Sequence, residues 1–230
     1  MAMVQRISRN SILWYLSHSL LLSACLLLLP GITTAVHGQD VARLKQSPTT
    51  TQDGRRAAAQ RAFAEGQRLR QQGTAEALRQ AIVKYEEALL LWRAVGDRSG
   101  EAATLNSIGL VYDSLGDKQQ ALSYYNQALP LRRAVGDRSG EATTLNNIGL
   151  VYDSLGDKQQ ALSYYNQALP LRRAVGDRSG EATTLNNIGL VYNSLGDKQQ
   201  ALSYYNQALP LRRAVGDRSG EATTLNNIGL

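Results

Sequence analysis

The sequence predicts an all-α protein, a solenoid of stacked antiparallel helix pairs. The first observation is a 40-residue unit that repeats almost exactly. Residues 101–140 and 141–180 differ at two positions, and residues 141–180 and 181–220 differ at one. The second observation is that each unit holds two amphipathic stretches separated by Gly-Asp. A helix pair with one apolar stripe per helix cannot bury both stripes alone, whereas stacked neighbours can.

The first helix of each repeat is predicted from its apolar spacing, over about Arg138 to Leu155. Residues recurring at intervals of three and four form one helix face: Leu145, Ile148, Gly149 and Tyr152. Asp137 precedes this stretch as an N-cap, and Gly136 just before it closes the previous helix.

The second helix is predicted over about Lys158 to Val175, after a turn at Gly156-Asp157. Its buried face comprises Ala161, Leu162, Tyr165, Ala168 and Leu169. We expect Gly149 and the alanines to let the helix backbones approach while Tyr152 and Tyr165 fill the space opposite. A proline recurs inside this helix (Pro130, Pro170 and Pro210), and there we expect a kink and not a break.

The two ends of the array differ from its interior. Residues 55–97 are predicted to form a divergent N-terminal helix pair, in which Gly66 takes the role of Gly109 and Gln72–Thr74 form a longer turn. Residues 98–230 then hold three near-identical repeats and a truncated fourth. The apolar half-repeat at the end leads us to expect a fragment of a longer protein.

Residues 1–38 are predicted to be an export signal. Arg6 and Arg9 precede an apolar run, and Val36–Gly38 offer small residues for cleavage before Gln39. Two alternatives remain: an uncleaved membrane anchor over residues 11–35, or a lipoprotein, since residues 22–25 (LSAC) resemble a lipobox. All three place the remainder outside the cytoplasm, either periplasmic or extracellular. Residues 39–54 lack apolar periodicity and are predicted to be a flexible linker.

Composition excludes several kinds of chemistry. His18, His37 and Cys25 all lie in the first 38 residues, so the chain after a cleaved signal has no Ser-His-Asp or Cys-His site, no His/Cys zinc site and no disulfide. The net charge of +6 comes entirely from residues 1–100, which argues against a nucleic-acid partner. Asp153 and Asp157 form an i,i+4 carboxylate pair, but Asn193 replaces the first in the next repeat. We expect no catalytic residue, metal or cofactor.

The repeated pattern Leu145, Ile148-Gly149, Tyr152, Gly156, Ala161, Tyr165 and Ala168 resembles the tetratricopeptide repeat across about residues 56–230. The 40-residue period is similar to that of kinesin light chains and Pins/LGN adaptors, and to cyanobacterial exported proteins in which such arrays precede a C-terminal CHAT (caspase-like) domain. The resemblance implies a right-handed superhelix with the first helices on its inner wall. The proline usual at the position of Arg173 is absent.

The expected function is a non-enzymatic scaffold that binds an extended peptide or partner protein in the concave groove. Helical phase places ten residues on the wall: Asn106, Asn146, Asn147, Asn186, Asn187, Leu110, Leu150, Leu190, Asp113 and Asp153. An asparagine both donates and accepts hydrogen bonds, and the resemblance implies its use on peptide backbones. Three alternatives remain: asparagines that bond neighbouring helices, a purely structural spacer, and a recognition arm of a longer protein whose CHAT-like protease domain lies beyond this chain.

Overall fold

A computed structural model describes residues 51–229 of the chain. This part consists of helices joined by short turns: α1 (Gln52–Gln71), α2 (Ala75–Val95), α3 (Arg98–Ser114), α4 (Lys118–Ala134), α5 (Arg138–Ser154), α6 (Lys158–Ala174), α7 (Arg178–Ser194), α8 (Lys198–Ala214) and α9 (Arg218–Ile228). The predicted all-α class is confirmed. The expectations for residues 1–50, including the export signal, lie outside the described residues.

Each helix of the repeats begins and ends through the residues that the sequence indicates. Asp137 is the N-cap of α5, and its carboxylate accepts a hydrogen bond from the Gly140 amide at 2.8 Å. Gly136, just before it, has a positive φ of 70°, which terminates α4 at no steric cost. The same pair recurs at every turn between described helices from residue 96 onward, so the predicted boundaries in the repeats agree to within a residue.

The N-terminal boundary differs from the prediction. Helix α1 begins at Gln52, so the helical part starts inside the segment 39–54 assigned to a linker. The reason is a local cap: the Thr51 hydroxyl accepts a hydrogen bond from the Gly54 amide at 3.0 Å, and Asp53 lies in the positively polarised first turn. These polar residues resemble a linker in composition but function as a helix start.

Within each pair, a glycine on the first helix faces a tyrosine on the second. A Cβ at Gly149 would lie 2.5 Å from the Tyr165 ring, so only glycine allows this approach. Tyr165 is completely buried, as are Ala161 and Ala168. Gly66 has the same relation to Tyr85, which confirms that the divergent first pair aligns with the repeats once three residues are inserted.

The repeated proline lies inside an uninterrupted helix, as the sequence predicts. Pro170 sits within α6 near its C-terminal end and is exposed to solvent. Proline donates no hydrogen bond, so the carbonyl of Asn166 one turn earlier loses its helical partner. Asn166 is also exposed, and water can therefore satisfy that carbonyl.

Stacking of the pairs produces one wall of closely spaced helices. Each second helix packs between the first helix of its own pair and that of the next. The first helices of successive pairs (α1, α3, α5, α7 and α9) also have Cα atoms within 8 Å of one another, whereas none of the second helices described here comes that close to another second helix. The first helices therefore form the closely spaced inner side, as expected. None of the helices in residues 51–229 is long and apolar enough to cross a membrane.

Candidate functional site

The ten residues predicted for the site all lie on α3, α5 and α7. The surface that these three helices present away from the second helices is called the inner wall below. Leu150 follows Asn146 by four residues and Asn147 by three, so the three side chains share one helix face. The arrangement recurs on three helices at a period of 40 residues, with Ser107 in the place of Asn147 on α3 and Asn193 in the place of Asp153 on α7.

The first asparagine of each repeat accepts two hydrogen bonds from the next repeat, and this pair of bonds is called the strut below. Asn146 on α5 accepts hydrogen bonds at its Oδ1 from the Thr184 hydroxyl and from Asn187 Nδ2 on α7, each at 3.3 Å. Asn106 on α3 accepts the same two bonds from α5, and Asn186 on α7 accepts them from α9. These asparagines are only 6–8% exposed. The alternative in which the asparagines bond neighbouring helices is therefore confirmed for Asn106, Asn146 and Asn186.

The strut leaves other atoms of the same amides available. In the described structure, neither Asn146 Nδ2 nor Asn147 Oδ1 makes a hydrogen bond. Asn146 Nδ2 is not fully buried. The second and third repeats therefore each hold one amide donor and one amide acceptor that make no hydrogen bond within the protein, whereas Ser107 takes the place of the acceptor in the first repeat. A peptide unit has one N–H and one C=O that need such partners.

The leucines of the inner wall are partly open to solvent. Leu150 is 41% exposed and Leu190 is 37% exposed, while Leu110 is half-buried. An apolar side chain at the same place in every repeat gives the wall a regular row of apolar contacts. Single exposed leucines are ordinary on protein surfaces, and the regularity of the row is the informative feature.

The two carboxylates of the wall, Asp113 and Asp153, are each paired with a lysine. Asp153 is bound by Lys158 across the turn from α5 to α6, and Asp113 is bound by Lys118 in the same way. Asp157 is the N-cap of α6 and accepts from the Gln160 amide at 3.0 Å. The paired carboxylates therefore serve an ion pair and a helix cap and do not converge on a common point.

Sequence reasoning missed a second polar network at the junctions between repeats. Arg133 Nε donates to Glu141 at 2.6 Å, and Arg132 binds the carboxylate of the N-cap Asp137. At the last junction, the amide of Gly220 and then the guanidinium of Arg212 lower the pKa of Asp217. The spacing of these pairs, five and eight residues, is constant in every repeat and was a usable signal. These ion pairs link the C-terminal end of each second helix to the start of the next first helix.

Thr144, Thr184 and Thr224 are the other residues that sequence reasoning missed. They are completely buried, and each hydroxyl contacts both the strut asparagine and a backbone carbonyl four residues earlier. These threonines stand at the same position of the repeat as Thr104, which the sequence shows. Their hydrogen bond to the strut asparagine depends on the helix stacked beside them, which the sequence does not show. Among residues 51–229, no group of acidic, histidine or cysteine side chains is arranged to hold a metal ion.

The chain belongs to the tetratricopeptide repeat family. The family profile matches residues 74–134, 120–174, 140–214 and 180–230, which together cover more than half of the sequence. The proposed resemblance is therefore confirmed for the repeats. No curated protein sequence gives a significant match to the chain.

Solved structures show the same fold. BtubC (BKLC) from P. vanneervenii is 23% identical, with a TM-score of 0.63 over 78% of this chain and 82% of that one. The nearly identical TPR-like repeats of a Podosopora anserina protein described as a kinesin light chain are 11% identical, with a TM-score of 0.61 over 74% and 84%. The Rap conjugation gene regulator of plasmid pLS20, solved with the Phr* peptide, is 15% identical, with a TM-score of 0.64 over 80% of this chain and 54% of its own.

Proposed function

We propose that this chain is a non-enzymatic protein-interaction scaffold that binds an extended peptide segment along its inner wall. The observation that carries the proposal is the repeated surface of the wall. The second and third repeats each pair an exposed leucine, Leu150 or Leu190, with an amide donor and an amide acceptor that make no hydrogen bond within the protein. Such a surface holds a peptide through its backbone and adds apolar contacts at fixed intervals.

The similarity to a peptide-bound structure supports this proposal. The Rap regulator that shares this fold was solved with a peptide. The absence of convergent acids and bases on the wall also favours binding over catalysis, because its carboxylates already serve an ion pair and a cap.

The experiment compares two pairs of leucines with similar exposure. Leu150 and Leu190 lie on the inner wall, whereas Leu155 and Leu195 lie at the ends of α5 and α7 and are 46% and 48% exposed. Peptides selected from a random library against the purified chain are measured with a Leu150→Gln/Leu190→Gln variant and with a Leu155→Gln/Leu195→Gln control. Losing about 1 kcal/mol of apolar contact at each wall leucine predicts roughly 30-fold weaker binding.

The control variant should retain the affinity of the unaltered chain, since it changes the same residue type at similar exposure away from the wall. Equal affinity of the two variants would place the peptide elsewhere and refute the inner wall as the site. Circular dichroism checks that both variants keep their helical content.

We also propose that the chain is exported, on the grounds of the charged, apolar and small-residue order in residues 1–38. N-terminal sequencing of protein recovered outside the cytoplasm should begin at Gln39. A recovered chain that still begins at Met1 would contradict cleavage and favour the membrane-anchored alternative.

A further inference from the structure

The distance between successive first helices of the inner wall determines the spacing of the side chains that a bound peptide can place against the wall. Cα atoms of α3 and α5 approach within 8 Å, and those of α5 and α7 do the same. Helices in such contact have axes about 8–10 Å apart. Because the repeats are nearly identical, the row Leu110, Leu150 and Leu190 advances by about this distance from one repeat to the next.

An extended chain covers that distance in three residues. Extended conformations rise about 3.1–3.4 Å per residue, so three residues span about 9–10 Å. Two residues span about 6–7 Å and four span about 12–14 Å on the same scale. A peptide running along the wall therefore meets one leucine for every third residue.

The three-residue step also selects a backbone conformation. In a β-strand, successive side chains point to opposite sides, so residues at every third position point alternately toward the wall and away from it. A polyproline II helix has three residues per turn, so every third side chain returns to the same side. Its backbone has no internal hydrogen bonds, which leaves N–H and C=O groups free to pair with Asn147 Oδ1 and Asn146 Nδ2.

We infer that the partner is a polyproline II segment with an apolar side chain at every third position, one for each leucine of the row. This inference rests on the proposed function and specifies its ligand. The near-identity of the repeats means that each contact favours the same type of side chain. The ion pairs that neutralise Asp113 and Asp153 mean that a ligand without charge suffices.

Three synthetic peptides of identical composition test the spacing. Each contains three leucines in a background of proline and glutamine, with the leucines separated by two, three or four positions. Binding to the purified chain is measured by calorimetry. The peptide with a three-residue period should bind at least about 10-fold more tightly than the other two, because only it engages all three leucines of the wall at once.

The outcomes distinguish this inference from the proposed function. Equal binding of all three peptides, abolished by Leu150→Gln/Leu190→Gln, would overturn the three-residue period while leaving the wall as the binding site. Binding of none, alongside library peptides that do depend on the wall leucines, would overturn the inference in the same way. If even the library peptides are indifferent to those leucines, the proposed function itself fails.

Two further measurements test the conformation and the charge. Replacing the background prolines by glycines should weaken the three-residue peptide severalfold, because the polyproline II conformation is no longer preformed. An equal affinity would reject that conformation. Raising the ionic strength tenfold should change the affinity by less than about twofold, since Asp113 and Asp153 of the wall are already paired with lysines. A steep salt dependence would show that charges dominate the contact.

Discussion

Replacing Asn146 by alanine removes one strut between α5 and α7. The change deletes the acceptor of two hydrogen bonds, from the Thr184 hydroxyl and from Asn187 Nδ2. Thr184 is completely buried but keeps a second acceptor, the Gly180 carbonyl at 3.0 Å. Asn187 is only partly buried, so water can reach its amide.

These details limit the expected magnitude. Both lost bonds are 3.3 Å long, at the weak end of the hydrogen-bond range, and each contributes about 0.5–1 kcal/mol. Neither partner is left buried without any other acceptor, so no large desolvation penalty is added. We expect the free energy of unfolding to fall by about 1–2 kcal/mol relative to a matched control.

Asn166→Ala is the matched control. Asn166 lies in the middle of α6, is exposed and makes no strut. Its replacement has the same effect on helix propensity, which favours alanine over asparagine by up to about 0.7 kcal/mol. Guanidinium unfolding followed by circular dichroism should therefore show Asn146→Ala less stable than Asn166→Ala.

Equal stability of the two variants would refute the strut as a source of stability. The comparison also bears on binding. Since Asn146 both stabilises the stack and lies on the wall, a binding defect in Asn146→Ala mixes two effects. Leu150, which makes no such hydrogen bond, is the cleaner probe of the peptide site.

Three further predictions concern Gly149 and Tyr165. Gly149→Ala places a Cβ 2.5 Å from the buried ring, and the strain of about 1–3 kcal/mol should exceed the gain of about 1 kcal/mol in helix propensity. Chemical unfolding should therefore show a less stable protein, and adding Tyr165→Leu should recover part of the lost stability. A single variant more stable than the unaltered chain would contradict the contact. Tyr165→Phe should stabilise the chain by about 1 kcal/mol, because the hydroxyl is buried without a hydrogen bond. Burial raises the pKa of Tyr165, because the ionised phenolate is disfavoured in the folded state. The free energy of unfolding therefore does not depend on this group below about pH 10 and falls as the pH rises further. Unfolding at neutral and at strongly alkaline pH should therefore show a smaller alkaline loss in Tyr165→Phe; an identical loss would exclude this phenol as a cause.

Much of the fold follows from the sequence because its determinants are local. The caps Gly136-Asp137 and the three- and four-residue spacing of Leu145, Ile148 and Tyr152 act within one helix and its turns. The Gly149–Tyr165 contact lies within one helix pair, and the nearly exact 40-residue repeat makes each pair predict the next. The start of α1 was misjudged because Thr51 and Asp53 are as common in linkers as in helix caps, and the capping bond distinguishes them.

The sequence by itself determined that Asn146, Asn147 and Leu150 share the inner face of their helix, since that depends only on helical phase. Only the tertiary structure decided that the Oδ1 of Asn146 faces α7 while its Nδ2 does not take part in the strut. It also decided that Lys158 neutralises Asp153. The reason is that both pairings depend on how one element is turned toward the next, and the angle and distance between stacked helices arise from packing over the whole interface.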